Sequence, residues 1–419
     1  MKVRSILVLA ILFASAIGFY SCEDSHPLIN NQKTNVQGYV RGYFSFPIAN
    51  AKITINNTTV MTDINGGFNF GNVQTPYDIY VNDSSHNYQT IYKEVCTSSP
   101  YIYSSVMLTQ GLGDYAINVH GPVFPTRQKA RVSFIDDDKD ILGTVEEPVS
   151  NSYNIFVNAP SGLTLKGRVI LITYTVDYSG VLTDFKYFAI KNNVLLSQGT
   201  ATEVTFSQSD LDTVSSTLRN CTVNVPQGSS VVISNYLLNF SNHKYSNYLN
   251  YASFGNYNVS NFNILIPNNL PISFTPQLYV FNSQITSGGD IRGMYNLPNS
   301  NVTIDMPPSP TITAPVNEAN NVDVNTVFSF QKQSISNIVI FALNDSASGK
   351  NYRLCTKENS ITLGMLSQMV TLKPNTRYSY TIIQVGTDGC ATVGTFLENG
   401  RNANYFSGTS EMRFFTTKP

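Results

Sequence analysis

The chain is expected to be all-β, a series of tandem β-sandwich domains behind an N-terminal secretion signal. Two observations carry this. Beyond the N-terminal segment no stretch keeps a helical period. Short runs rich in Val, Ile, Tyr and Phe follow one another instead, punctuated by Gly, Pro, Asn, Ser and Thr. Core material is also ample, with 42% hydrophobic residues, 25 Tyr and 24 Phe, so the low charged fraction of 13% does not signal disorder. A length of 419 residues leads us to expect roughly two to four domains. The formal net charge is −1 and no basic patch tracks a phosphate backbone, which argues against a nucleic-acid partner. After the signal, no apolar run is long enough to span a bilayer as a helix.

Residues 1–21 form the signal. Lys2 and Arg4 make a positive start, and Ile6 to Ala16 is an apolar run too short and wrongly flanked for a transmembrane helix. Ser21-Cys22 ends it. The arrangement resembles a bacterial lipoprotein signal, in the relaxed form of Bacteroidota that accepts Phe19 and Tyr20 before the cysteine. The resemblance implies that Cys22 is lipidated and becomes the mature N-terminus. Each buried acyl methylene then adds about 0.8 kcal/mol of membrane affinity. Ala14-Ser15-Ala16 satisfies the small-x-small rule for ordinary cleavage and stands as the alternative. Glu23-Asp24 resemble the acidic signal for export to the outer face of the outer membrane, or are simply the polar start of a tether. Residues 22–35 are expected to be that tether, with a flexible span of about 20 Å.

Residues 36–110 read as the first domain. Ala51, Ile53 and Ile55 alternate with Lys52 and Thr54, and Phe68 and Phe70 flank Asn69. Thr62-Asp63-Ile64-Asn65-Gly66 is a turn built from residues that tolerate positive φ. Gly38-Tyr39-Val40, Pro47 to Ile53, Thr62 to Phe68 and Tyr77-Asp78-Ile79 together resemble the carboxypeptidase regulatory-like domain, a transthyretin-like sandwich. That family's peptidase chemistry lies in another domain, which binds zinc through a His-x-x-Glu pair. The 4 histidines here, His26, His86, His120 and His243, have no Glu three residues on.

Residues 111–210 and 215–306 are expected to be two further sandwiches of no recognised family. Strands are predicted over Ala130–Ile135, Tyr153–Val157, Gly167–Tyr178 and Val181–Ile190, with Tyr178-Ser179-Gly180 turning a long hairpin. Both faces of Val169-Ile170-Leu171-Ile172 are apolar, which predicts a central strand of a two-layer sandwich. The polar stretch Ser207–Arg219 is a helical turn or a linker. Met306-Pro307-Pro308-Ser309-Pro310 is a stiff linker of polyproline geometry.

Residues 310–419 resemble a fibronectin type III or related immunoglobulin-like sandwich. Ala314 to Ala319 and Val327-Phe328-Ser329-Phe330 match its first two strands, and Leu372-Lys373-Pro374-Asn375-Thr376-Arg377-Tyr378 its tyrosine corner. The chain has no Trp, and Phe330 is expected to stand where that fold buries one.

Of 5 cysteines, Cys22 is spent on the anchor. None sits in a C-x-x-C pair, so no thiolate zinc site is expected. Cys355 and Cys390 share a domain, and their pairing is left open. Cys96 and Cys221 are expected as buried free thiols.

Asp136, Asp138 and Asp140 have calcium-loop spacing, with Glu147 at the twelfth position, but Ile141 stands where such a loop needs Gly. An acidic hairpin tip is the alternative. Tyr236, Tyr245, Tyr248, Tyr251 and Tyr257 are interleaved with Asn and Ser, a composition suited to a sugar- or protein-binding face or to ordinary strand faces and turns. Asp212-Thr213-Val214 and Asp345-Ser346-Ala347 resemble Bacteroidota O-glycosylation motifs. There is no Gly-x-Ser-x-Gly elbow, His-Glu-x-x-His or phosphate-cradling loop, so no enzyme, cofactor or metal is expected.

The expectation is thus a membrane-bound lipoprotein, anchored through Cys22 and displayed on the outer membrane as a non-catalytic binding or adhesion module. Its ligand would be an extracellular glycan or protein. The alternatives are a glycan-binding accessory of a polysaccharide uptake system and a structural subunit of a surface fibre or envelope complex.

Overall fold

A computed structural model describes residues 33–42, 46–104, 112–124, 128–137, 141–148, 150–178, 182–227, 229–240, 251–257, 260–284, 289–333, 336–387, 392–399 and 405–419. Cys22 and the signal lie outside them, as do Glu23 and Asp24.

The first stretch carries β1 (Lys33–Arg41), β2 (Lys52–Ile55), β3 (Thr58–Met61), β4 (Gly67–Gln74), β5 (Tyr77–Asp83), β6 (Tyr88–Val95) and β7 (Tyr101–Tyr103). The expected tether therefore passes into strand at Lys33, which pairs with Gln74. Alternation sends Val36, Val40, Phe68, Phe70, Ile53, Ile79 and Val81 into one core between the sheet β4-β1-β7 and the strands β6-β5-β2-β3. Asp63 builds the turn between β3 and β4. Its carboxylate accepts from the amides of Asn65 (2.8 Å) and Gly67 (2.7 Å). Gly66 sits at φ +66°, where a Cβ would also lie 2.5 Å from the Val40 carbonyl oxygen. The Thr62 hydroxyl donates to the Ile48 carbonyl (2.6 Å) and accepts from the Ala51 amide (2.9 Å).

Next come β8 (Leu112–His120), β9 (Gln128–Asp136), β10 (Leu142–Pro148), β11 (Ser152–Pro160), β12 (Thr164–Val176), β13 (Leu182–Ser197), β14 (Ala201–Thr205) and β15 (Asp212–Thr213). The sheet β11-β8-β14 packs on the sheet β10-β9-β12-β13-β15. The predicted hairpin is present, with Val176 opposite Leu182. The two-layer expectation for β12 is corrected. Val169 and Leu171 enter the core shared with β8 and β11, while Ile170, Ile172 and Tyr174 enter a second core on the other face. That second core includes residues downstream. Phe188 packs on Phe240 (centroids 6.3 Å apart), and the Arg168 guanidinium donates to the Phe240 carbonyl at 2.8 Å. This sheet is a middle layer. Of the polar stretch Ser207–Arg219, only Gln208–Asp210 is a 3-10 turn, closed by a capping box between Ser207 and Asp210; Asp212–Thr213 and the residues from Ser216 on are strand.

The third stretch carries β16 (Ser216–Asn224), β17 (Ser229–Asn239), β18 (Tyr251–Tyr257), β19 (Asn261–Pro267), β20 (Thr275–Gln284), β21 (Asp290–Asn296) and β22 (Val302–Asp305). Cys221, Val223, Ile264 and Ile304 of the sheet β19-β16-β22 meet Tyr236, Leu238, Leu278, Val280 and Ile291 of the strands β17, β20 and β21. The expected stiff linker is not a free spacer. Met306 and Ser309 are buried, and Pro310 fits against Gly408, whose added Cβ would lie 3.1 Å from the proline ring.

The last stretch carries β23 (Thr311–Ala314), β24 (Ala319–Val322), β25 (Val327–Gln331), β26 (Ile338–Asp345), β27 (Lys350–Thr356), β28 (Ser360–Thr362), β29 (Arg377–Thr387), α1 (Val393–Asn399), β30 (Tyr405–Thr409) and β31 (Arg413–Thr417). Phe330 is buried in its core at 6% exposure, and Phe328 lies deeper still. It is 0% exposed and its ring packs on Phe341 (5.1 Å), Tyr380 (4.9 Å) and Phe415 (5.5 Å), three edge-on aromatic contacts. Tyr378 is buried, and its hydroxyl accepts the Lys373 amide at 3.2 Å, the geometry expected of the tyrosine corner.

Sandwiches from three of these stretches are joined edge to edge in a 14-stranded sheet whose main path is β18-β17-β20-β21-β30-β29-β26-β27-β6-β5-β2-β3. The join β21/β30 is antiparallel, from Asp290↔Thr409 to Met294↔Tyr405. The join β6/β27 is parallel, from Tyr88↔Asn351 to Tyr92↔Cys355. Register carries each core to a face. Ile291, Ile382, Phe341, Leu354 and Ile91 fall on one side of the sheet, and Val385, Ile340, Cys355, Tyr92 and Val81 on the other. The last two sandwiches thus build on one side and the first on the opposite side. Ile91 is a strand residue of the first sandwich and yet a core residue of the last.

Candidate functional site: a polar hollow beside the β6/β27 join

Most residues singled out in the sequence turn out to be structural or fall outside the description. Tyr236 is 0% exposed and belongs to a core, so it is not part of a ligand face. Tyr245 and Tyr248 lie outside the described residues. Tyr251 and Tyr257 end β18, the outer strand of the long sheet, opposite Asn239 and Ser234. Asp138 and Asp140 also lie outside the described residues. Asp136 is buried at the end of β9, whereas Glu147 is exposed and pairs with Ala130. Six residues of strand separate those two positions, about 20 Å, so Glu147 cannot close a calcium loop on Asp136. Among the described residues there is no group of three or more metal-ligating side chains.

Thr213 is exposed on β15. Asp345 is buried and serves the turn between β26 and β27. Its carboxylate accepts from the Ala347 amide (3.0 Å), the Ser348 hydroxyl (2.7 Å) and Lys373 Nζ (3.0 Å). Burial pushes its pKa up, but these hydrogen bonds outweigh burial and hold it below the ordinary aspartate value. Cys96, Cys221 and Cys355 are free thiols, and Cys390 lies outside the described residues. The expectation of a buried Cys96 is corrected, since it is exposed where β6 leaves the sheet. Burial pushes Cys221 up to about 11 and Cys355 up to about 12, so both are poor nucleophiles.

A site that the sequence did not point to lies on the last sandwich. The outward face of β29, β26 and β27 has two halves. The apolar half, with Ile338, Ile340, Ile383 and Cys355, is covered by Val393 and Leu397 of α1 and by the first core. The polar half is partly open: Asn344 and Asn351 are exposed, Ala342, Arg353 and Thr381 half-buried, and Tyr88, Thr90 and Ser379 buried. There, register lines up two rows of side chains across the strands: Ser379, Asn344, Asn351 and Tyr88 in one, Thr381, Ala342, Arg353 and Thr90 in the other. Ala342 is the small member, so the surface dips above it. The result is a hollow of about 140 Å³, open to solvent, which the exposed Met412 also lines.

Arg353 is half-buried, and its Cζ lies 5.7 Å from the centroid of the buried Tyr88 ring, so the guanidinium is held over an aromatic face. Among the described residues no carboxylate pairs with Arg353. The side chains of Asn344, Asn351, Ser379 and Thr381 make no hydrogen bond to other described protein groups. Behind them, burial, followed by the neighbouring Tyr88 and Cys355, pushes the Tyr92 phenol well above its ordinary value, so it stays protonated. The hollow therefore offers a cationic fork, several uncommitted hydrogen-bonding groups and an apolar side chain. Among the described residues that line it there is no Cys, His, Asp, Glu or Lys.

No protein family model matches the chain, and no curated protein matches it. Among solved structures, the Bacillus anthracis TIE protein is similar at 7% identity and a TM-score of 0.16, over 65% of this chain and 49% of its own. The chain thus spans about half the length of that protein. An adhesin candidate from Bacteroides ovatus is similar at 9% identity and a TM-score of 0.17, over 46% of this chain and 93% of its own. BcpA, the major pilin subunit of Bacillus cereus, is similar at 10% identity and a TM-score of 0.15, over 66% of this chain and 99% of its own.

Proposed function

We propose that this protein is a lipid-anchored, surface-displayed outer-membrane lipoprotein that acts as a non-catalytic binding or adhesion module. The observation that carries it is the edge-to-edge sheet, which joins the first, third and fourth sandwiches strand to strand and so holds an exposed face rigidly on a large platform. Attachment through Cys22 follows from the lipoprotein-like signal. Residues 36–110 would be a carboxypeptidase regulatory-like domain, supported by the Thr62-Asp63-Gly66 turn. Residues 310–419 would be a fibronectin type III-like domain, supported by the buried Tyr378 corner. Residues 111–210 and 215–306 would be the two domains between them, sharing a core at their junction.

Whole-cell protease shaving tests display, and an intact protein on shaved cells ends that part of the proposal. Native affinity electrophoresis of residues 23–419 against polysaccharides and glycoproteins tests binding. A second reading, as a structural subunit of a fibre, is favoured by β3, an end strand of the long sheet whose Thr58, Thr59 and Met61 are exposed. Size-exclusion chromatography separates the two, because a monomer at high concentration removes the subunit reading.

A further inference from the structure

We infer that the hollow over Ala342 is a binding site for one acidic sugar unit, a hexuronate, of an extracellular polysaccharide. This deepens the binding reading above and rests on it. The argument begins with Arg353. A guanidinium is a planar fork that pairs bidentately with a carboxylate, and here it is already ordered by stacking on Tyr88 rather than spent on a protein acid. Pre-ordering matters, since binding then costs less side-chain entropy.

The groups around it are neutral. Asn344 and Asn351 offer both donors and acceptors, and Ser379 and Thr381 bring hydroxyls, all on strands fixed by register. That mixture suits the ring hydroxyls of a sugar better than a bare inorganic anion, which needs donors alone. Met412 is 58% exposed and gives an apolar surface for the C–H side of a ring. Size points the same way. At about 140 Å³ the hollow is well below the ~300–1,000 Å³ of pockets for drug-sized ligands, and one monosaccharide is what fits. An open hollow on a sheet face also lets the chain of a polymer continue in both directions.

The test uses the protein without its lipid (residues 23–419), with methyl glucuronate and methyl galacturonate as probes in titration calorimetry or saturation-transfer NMR. Binding to at least one uronate is expected in the millimolar range, with no detectable binding of the matching neutral methyl glycosides. Arg353→Gln should weaken it roughly tenfold or more, and Arg353→Lys, which keeps the charge but loses the fork, by less. Met412→Ala should weaken it severalfold. Circular dichroism should be unchanged throughout, because neither Arg353 nor Met412 belongs to a hydrophobic core.

Uronate binding that survives Arg353→Gln overturns the site. Equal binding of neutral glycosides overturns the acidic class. Displacement by equimolar acetate or sulfate makes the hollow a plain anion site and overturns the sugar. Binding of neither uronate, alongside retardation by some other polysaccharide or glycoprotein, overturns this inference and leaves the binding reading standing. Loss of both overturns the two together.

Discussion

Ile91→Ala separates a joined molecule from a string of independent sandwiches. Ile91 belongs to β6, pairs with Leu354 across the parallel join, and is 2% exposed. The substitution removes three carbons from a closed core. At about 0.8 kcal/mol each the transfer loss is ~2.4 kcal/mol, and an unfilled cavity carries the total into the range of about 2–5 kcal/mol. The control is Ile53→Ala, which removes the same atoms from the first core at 0% exposure, away from the join. Native-state hydrogen exchange reads both. Ile91→Ala should lower the opening free energy of amides in β27 and β26 by much of that amount, whereas Ile53→Ala should act mainly on β2 and β5. If Ile91→Ala left β27 protection unchanged while β6 lost its own, the join would be a contact between independent units and the reasoning would fail.

Three further predictions concern single groups. Gly66→Ala should destabilise more than Gly162→Ala. Both place an alanine at a positive φ, which costs about 1–2 kcal/mol, but only at Gly66 does the new methyl meet backbone, 2.5 Å from the Val40 oxygen, while Gly162 faces open space; denaturant melts compare them. For Asp345, the folded pKa lies below its unfolded value of about 3.9. Its contribution is therefore present above that value and lost as pH falls through the folded one. The stability gap between wild type and Asp345→Asn should be constant from about pH 5 to 7 and shrink below about pH 4, as urea melts at each pH would show. In a chain carrying Cys22→Ser and Cys390→Ser, iodoacetamide at pH 8 should modify Cys96 alone, and Cys221 and Cys355 only after unfolding; mass spectrometry counts the adducts.

Local chemistry was legible in the sequence. Asp63 can close a turn with its carboxylate and Gly66 can take a positive φ, and the structure uses both. The apolar run Val169–Ile172 announced burial on both faces, but nothing in it told a central strand from a middle layer, because the covering residues, Phe240 among them, come much later in the chain. Period two also gives face and not depth: Phe328 and Phe330 share a face and both are buried, but nothing in the pattern says which of them meets Phe341, Tyr380 and Phe415. The joins had no signature at all. Backbone pairing between β6 and β27 asks little of either side chain set, so Ile91 looked like any strand residue of its own sandwich. The hollow was hidden for the same reason: Asn344, Asn351 and Arg353 read as an ordinary polar face until register placed them around Ala342.

The parallel join also sets an order of events. Ile91 leaves the ribosome roughly 260 residues before Leu354, which at about 5–20 residues per second is tens of seconds. Through that interval β6 is a bare strand edge, the kind of template on which chains pair wrongly. Lys93 and Glu94 near its end are the sort of charges that discourage such pairing. A nascent or truncated first sandwich is therefore the form most prone to self-association, and only the arrival of the last sandwich retires that hazard.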